Sequence, residues 1–253
     1  MCKFYAAYVS RYRLARLRPM NDFLQSLGSA LALLGGADPA LWPIVRLSIE
    51  VSGAATVLAA LIALPLAAWV ALTPFRGRAA LVASLNALMG LPSVVVGLIV
   101  YLLLSRAGPL GSLGILFTPA AMVVAQTLLV APLITALARQ TLEDALAEYG
   151  PYLASLKAGK ASTMATLLWE ARFSLLTALL AGFGRAAAEV GAVLIVGGNI
   201  DGVTRVMTTA IALETSKGDL ALALGLGVVL VLLVLGVNAI AHAVRLYAAR
   251  RYG

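Results

Sequence analysis

The chain has 253 residues, 62% of them hydrophobic and 12% charged, where an average soluble domain carries about a quarter charged. That balance excludes an ordinary soluble globular protein and defines an integral membrane protein. The net charge of +8 would suit a nucleic-acid binder, but the basic residues sit at the ends of apolar runs, where membrane topology accounts for them and no nucleic-acid partner is needed.

At roughly 20 residues per crossing, the length suits one helical bundle of five or six spans with no separate soluble domain. The single cysteine, Cys2, excludes an intramolecular disulfide, and the single histidine, His242, makes no metal cluster by itself, so no metal site is expected.

Residues 1–19 carry Lys3, Arg11, Arg13, Arg16 and Arg18 and no acid, and a second methionine follows at Met20. The order of basic and apolar residues is not that of a secretory signal, so the segment reads as a basic extension from an upstream start, or as a juxtamembrane tail. From Met20 to Gly36, Phe23, Leu24, Leu27, Leu31 and Leu34 follow a helical period, too short to span, before a Gly-Gly-Ala-Asp-Pro break. The expected place is the membrane interface; a sixth crossing near residues 20–42 is the alternative.

Five spans are predicted, at about 45–72, 79–104, 115–138, 175–198 and 220–246. Arg46 and Glu50 share a helix face at the start of the first. Pro65, Pro92, Pro119 and Pro132 are candidate irregularities along the first three. Residues 199–219 have a mildly apolar centre, which predicts a short helix or re-entrant piece without the length to cross.

Between the third and fourth spans lies the one long polar interval, residues 139–172, with Arg139, Glu143, Asp144, Glu148, Lys157, Lys160, Glu170 and Arg172. If it is cytoplasmic, nine basic residues fall on that side (Arg76, Arg78, Arg139, Lys157, Lys160, Arg172, Arg245, Arg250 and Arg251) against four opposite (Arg46, Arg106, Arg205 and Lys217), as the positive-inside rule requires. Gly150-Pro151 is expected to break the incoming helix. A second piece, Tyr152 to Ala158, then ends at Gly159, and a third runs from about Ser162 into the fourth span. This helix-turn-helix, with Tyr149 and Tyr152 exposed, has a shape for insertion into a groove on a partner.

In the fourth span, Arg185 and Glu189 lie four residues apart. Each charge alone at mid-membrane costs about 2.5–3.5 kcal/mol, which predicts a pair facing the protein interior, on a pathway or at a helix contact. No phosphate-binding loop is present: at Gly159-Lys160-Ala161, Ala154 stands where the first glycine would be.

The runs LPSVVVGL (91–98), TPAAMVVAQTLLVAP (118–132), GRAAAEVGAVLIVGGNI (184–200) and TRVMTTAIALETSKGD (204–219) resemble the permease subunits of ATP-binding-cassette importers, and within them the tungstate and molybdate permeases. The likeness covers residues from about Met20 onward, so 20–253 reads as one transmembrane permease domain. It implies an all-α integral membrane bundle with a cytoplasmic coupling helix, in the prokaryotic cell (inner) membrane. The chain would not itself be an enzyme.

The partners implied are a cytoplasmic ABC ATPase that binds the ATP, an extracytoplasmic substrate-binding protein, a second copy of the chain and membrane lipid. Carried onto this sequence, the ATPase-coupling residues are Tyr149, Gly150, Pro151, Tyr152, Leu153, Ala154, Ser155, Lys157 and Gly159. Gly159 matches the glycine of the family's coupling motif, whereas Leu153-Ala154-Ser155 stand for its Glu-Ala-Ala and Ala171-Arg172 for its later Leu-Pro. The substrate implied is an oxyanion, tungstate first and molybdate or another small solute next. An ion-coupled secondary carrier using Arg185 and Glu189, or a membrane-embedded enzyme, are the competing classes.

Overall fold

The computed structural model describes Gly28 and residues 41–252, without the side chains at 241, 244, 245 and 247–252. The expectations for 1–19 and for an interfacial piece or sixth crossing before residue 41 fall outside these residues, Gly28 apart. Nine α-helices are described: α1 (Leu41–Leu72), α2 (Arg78–Met89), α3 (Ser93–Leu104), α4 (Pro119–Ser155), α5 (Lys160–Glu170), α6 (Arg172–Ala187), α7 (Gly191–Gly197), α8 (Met207–Lys217) and α9 (Leu220–Tyr252). The fold is all-α. Three helices have a stretch long and apolar enough to cross a bilayer, in α1, α4 and residues 220–240 of α9. Counting the bent pairs α2–α3 and α5–α6 as one span each raises the number to five.

The centre of the bundle is the seam between α1 and α4. Along α1, Ala55, Ala59, Ala63 and Ala67 recur every fourth residue and are fully buried. Side chains this small let two backbones approach closely, which is how helices pack where lipid offers no hydrophobic drive. The other face of α1 exposes Val57, Leu58, Leu61 and Ile62, as suits acyl chains. Trp42 and Trp69, both exposed, stand 27 residues apart (69 − 42), about 40 Å of helix, close to the headgroup-to-headgroup thickness of a bilayer. Trp69 stacks on Phe75 at 4.5 Å between centroids, so each end of α1 carries an interfacial aromatic.

Two predicted spans are interrupted. The second, expected as one helix over 79–104, bends by 98° between α2 and α3. Gly90 closes α2, and Pro92, which offers no N–H, stands at the cap of α3. The fourth, expected over 175–198, stops at Ala187 and resumes at Gly191 as α7. At its other end, α5 and α6 meet at Ala171 with a 69° bend, so the piece expected to run straight into the span turns first.

α4 corrects the opposite expectation. Gly150-Pro151 does not break it, and the helix continues through both Pro132 and Pro151 to Ser155. The carbonyl that Pro151 leaves without a helical partner belongs to Ala147, an exposed residue, so solvent supplies what the ladder loses. The third span therefore begins at Pro119 rather than 115, and its helix extends well past 138. In the 199–219 segment the expected short helix is α8; its first residues, Met207 to Ala210, are buried and its end at Lys217 is exposed.

Candidate functional site

Two places carry the sequence-predicted residues. The first is the turn after α4, at the end of the bundle where basic residues concentrate. The break falls at Leu156 to Gly159. The Ala158 N–H donates to the Leu153 carbonyl (3.1 Å) and the Lys157 N–H to the Ala154 carbonyl (3.0 Å). This pair of bonds is a Schellman motif, whose left-handed position usually takes glycine. Here Lys157 holds it, at φ 52°, at a strain of about 1 kcal/mol.

The turn is anchored from below. Leu153 is buried among Ala67, Ala68, Ala71, Ala138, Leu142, Leu167, Ala171 and Leu175, from α1, α4, α5 and α6. Tyr149, expected to be exposed, packs half-buried against the same cluster. Neighbouring Glu148, with help from burial and Glu170, raises its hydroxyl pKa above the ordinary tyrosine range, so it stays neutral. What faces outward is Pro151, Tyr152, Ala154, Ser155, Leu156, Lys157 and Gly159, with Tyr152 65% and Leu156 61% exposed. Gly150 is intermediate within α4. Leu153 and Tyr149 thus support the surface that the other residues present. Leu156, absent from the sequence-derived set, is part of it; nothing local in the sequence distinguished it from a core leucine.

The second place is the break at 188–190. Arg185 donates to the Glu189 carboxylate at 2.5 Å, in the last turn of α6. Glu189 is buried, while the Arg185 side chain is 37% exposed, so only half of the pair faces the interior. The same carboxylate accepts from the Ala192 N–H (3.1 Å) at the start of α7, and the Ser93 side chain at the start of α3 stands beside this junction. Thr208 of α8 donates to the Glu189 carbonyl (2.7 Å), and Gln126 of α4 donates to the Ala186 carbonyl (3.0 Å). Side chains thereby satisfy the backbone that the broken helix frees, as irregular structure within a membrane requires.

Glycines bring the two broken spans together here. A Cβ on Gly97 would lie 2.6 Å from the Ala192 backbone, and one on Gly191 2.7 Å from Val94. The breaks sit about 18 Å along α2 and 24 Å along α6, within a hydrocarbon core of about 30 Å. Gln126 and Thr208 escaped the sequence reading because each acts on a partner distant in the chain.

Arg46 and Glu50 form the i, i+4 pair predicted, at 2.6 Å and exposed. Among the described residues no group of three His, Cys, Asp or Glu is placed to hold a metal ion.

An all-α polytopic bundle with an outward-facing terminal turn and an internal polar junction is the class of molecule these features define. No family model matches the chain. It is 39% identical to the tungstate uptake system permease protein TupB of Peptoclostridium acidaminophilum, over 89% of this chain and 99% of that protein. It is 43% identical to a probable anion ABC transporter permease protein of Haloferax volcanii, over 80% and 89% respectively. A molybdenum transport system permease protein ModB of Azotobacter vinelandii matches at 32% over 66% and 77%. The chain belongs to the ABC transporter permease family, and it is a multi-pass protein of the prokaryotic cell (inner) membrane.

Proposed function

We propose that the chain is the membrane-spanning subunit of an ATP-driven importer of tungstate, working as a pair of copies with a separate ATPase and an extracytoplasmic binding protein. The observation that carries this reading is the outward-facing turn at Tyr152–Lys157, in a chain that aligns with nearly the whole of a tungstate uptake permease. An apolar pair, Tyr152 and Leu156, flanked by Lys157 and Lys160, suits insertion into a groove with an acidic rim. ATP is bound by the partner, since this chain has no phosphate-binding loop.

The translocation path runs along the exposed face of α6, where Ser174, Thr177, Ala181 and Arg185 recur at helical spacing. A cation in the hydrocarbon region needs cover from lipid, which a second copy and a water-filled path between the two provide. Glu189 keeps Arg185 half-neutralised, so that a doubly negative ion passes without being trapped.

The test is purification of the tagged chain with its neighbouring ATPase and binding protein, followed by reconstitution. ATP-dependent tungstate uptake is expected. Uptake that survives without the ATPase and collapses with the ion gradient would overturn the reading, and a binding protein that prefers molybdate would change the ion alone.

A further inference from the structure

A second polar cluster lies apart from both places. At the start of α2, the Arg78 guanidinium binds Glu143 of α4 and donates to the Val70 carbonyl in the last turns of α1 (3.0 Å). Glu143 also accepts from Arg139, one turn back on α4, at 2.5 Å. One carboxylate thus holds two guanidiniums, all three side chains part-buried. The first cation belongs to a different helix, 65 residues away; the second shares the helix of the acid.

α2 has little else to hold it. Its one buried residue is Leu85, and it packs on α4. Its far end is the 98° bend at 90–92, beyond which Ser93 and Val94 lie against Gly191 and Gly97 against Ala192. α4 meanwhile carries the outward-facing turn at its own end, fixed to α1, α5 and α6 through Leu153, Leu142 and Leu167.

We propose that Glu143 is a positioning residue for energy coupling: by gripping Arg78, it makes α2 follow α4. Movement of the turn then reaches the bend at 90–92, and through Ser93 and Gly97 the junction at Glu189. α2 is a connecting rod between two sites that do not touch, and the Arg78–Glu143 ion pair is its pin. Arg139, on the same helix as the acid, orients the carboxylate and transmits nothing between helices. The inference rests on the proposed function, in which an ATPase drives the turn.

The experiment uses the reconstituted complex of permease, ATPase and binding protein, and measures tungstate imported per ATP hydrolysed. In Arg78→Gln and Glu143→Gln this ratio is expected to fall about tenfold, a middle value for coupling between sites, while the ATPase still co-purifies. Arg78→Lys should recover most of it, because an ammonium still pairs with Glu143. Arg139→Gln should remain near the wild-type ratio, because the cross-helix bond survives.

Wild-type ratios in Arg78→Gln and Glu143→Gln would overturn the proposal. So would an equal fall in Arg139→Gln, which would mark a general folding role. Should Glu143→Gln fail to assemble, Arg78→Gln alone decides, since Arg78 stands at an accessible helix start. A wild-type complex without ATP-dependent uptake would instead defeat the proposed function, and the coupling role with it.

Discussion

The turn at 156–159 and the junction at 188–190 both end a helix, and they do it by opposite means. The turn is held by its own backbone and by leucines beneath it, and its surface is left to solvent. The junction is held by side chains from α4 and α8, and its defining carboxylate is buried. Backbone N–H groups of the turn itself answer the freed carbonyls at the first; at the second, side chains from other helices do. Their difference marks which break is free to meet another molecule and which must keep its internal partners through any movement.

Mutations at the two breaks should therefore differ in kind. Glu189→Ala removes the acceptor shared by Arg185 and the Ala192 N–H, and should cost about 3 kcal/mol, the low end for a broken buried pair because Arg185 keeps some access. Thermal unfolding in detergent would show it, and an unchanged midpoint would contradict the junction as described. Gly97→Ala forces a methyl against the Ala192 backbone and should cost about 2 kcal/mol in the same assay.

At the turn, Lys157→Gly should stabilise slightly, by about 0.5 kcal/mol, as relief of left-handed strain is partly offset by the freedom of glycine in the unfolded chain. The same change should weaken ATPase association if the lysine contributes charge to docking. Tyr152→Ser should leave the unfolding midpoint where it is and reduce recovery of the ATPase in pull-downs. A large loss of stability at Tyr152 would erase the contrast between the two breaks.

Much of the fold was legible because hydropathy and chain length act locally: the five apolar stretches, the short helix within 199–219 and the i, i+4 spacing of Arg185 with Glu189 all follow from neighbours in sequence. The bend near Gly90 and Pro92 had visible causes but was expected to remain within one helix. The break at 188–190 had almost none, since Ala-Ala-Ala-Glu is good helical sequence and the backbone there is met by Gln126 and Thr208, brought there by the fold. Gly150-Pro151 misled for the converse reason: an exposed helix tolerates the pair when solvent takes the orphaned carbonyl. Arg78 and Glu143 were visible only as charges, because nothing in a sequence shows that residues 65 apart will meet.

The alanines of α1 give the bundle a mechanical property. Large side chains interlock across a helix interface, and moving one helix past another then requires many rotamers to change together. Ala55, Ala59, Ala63 and Ala67 present single methyl groups to α4, a nearly smooth track with little to disengage. Small axial slips along such a track are the shear type of motion, in which packed helices slide without separating. Along these four residues, the same methyl groups that make the seam tight leave little side-chain interlock for such a slip to undo.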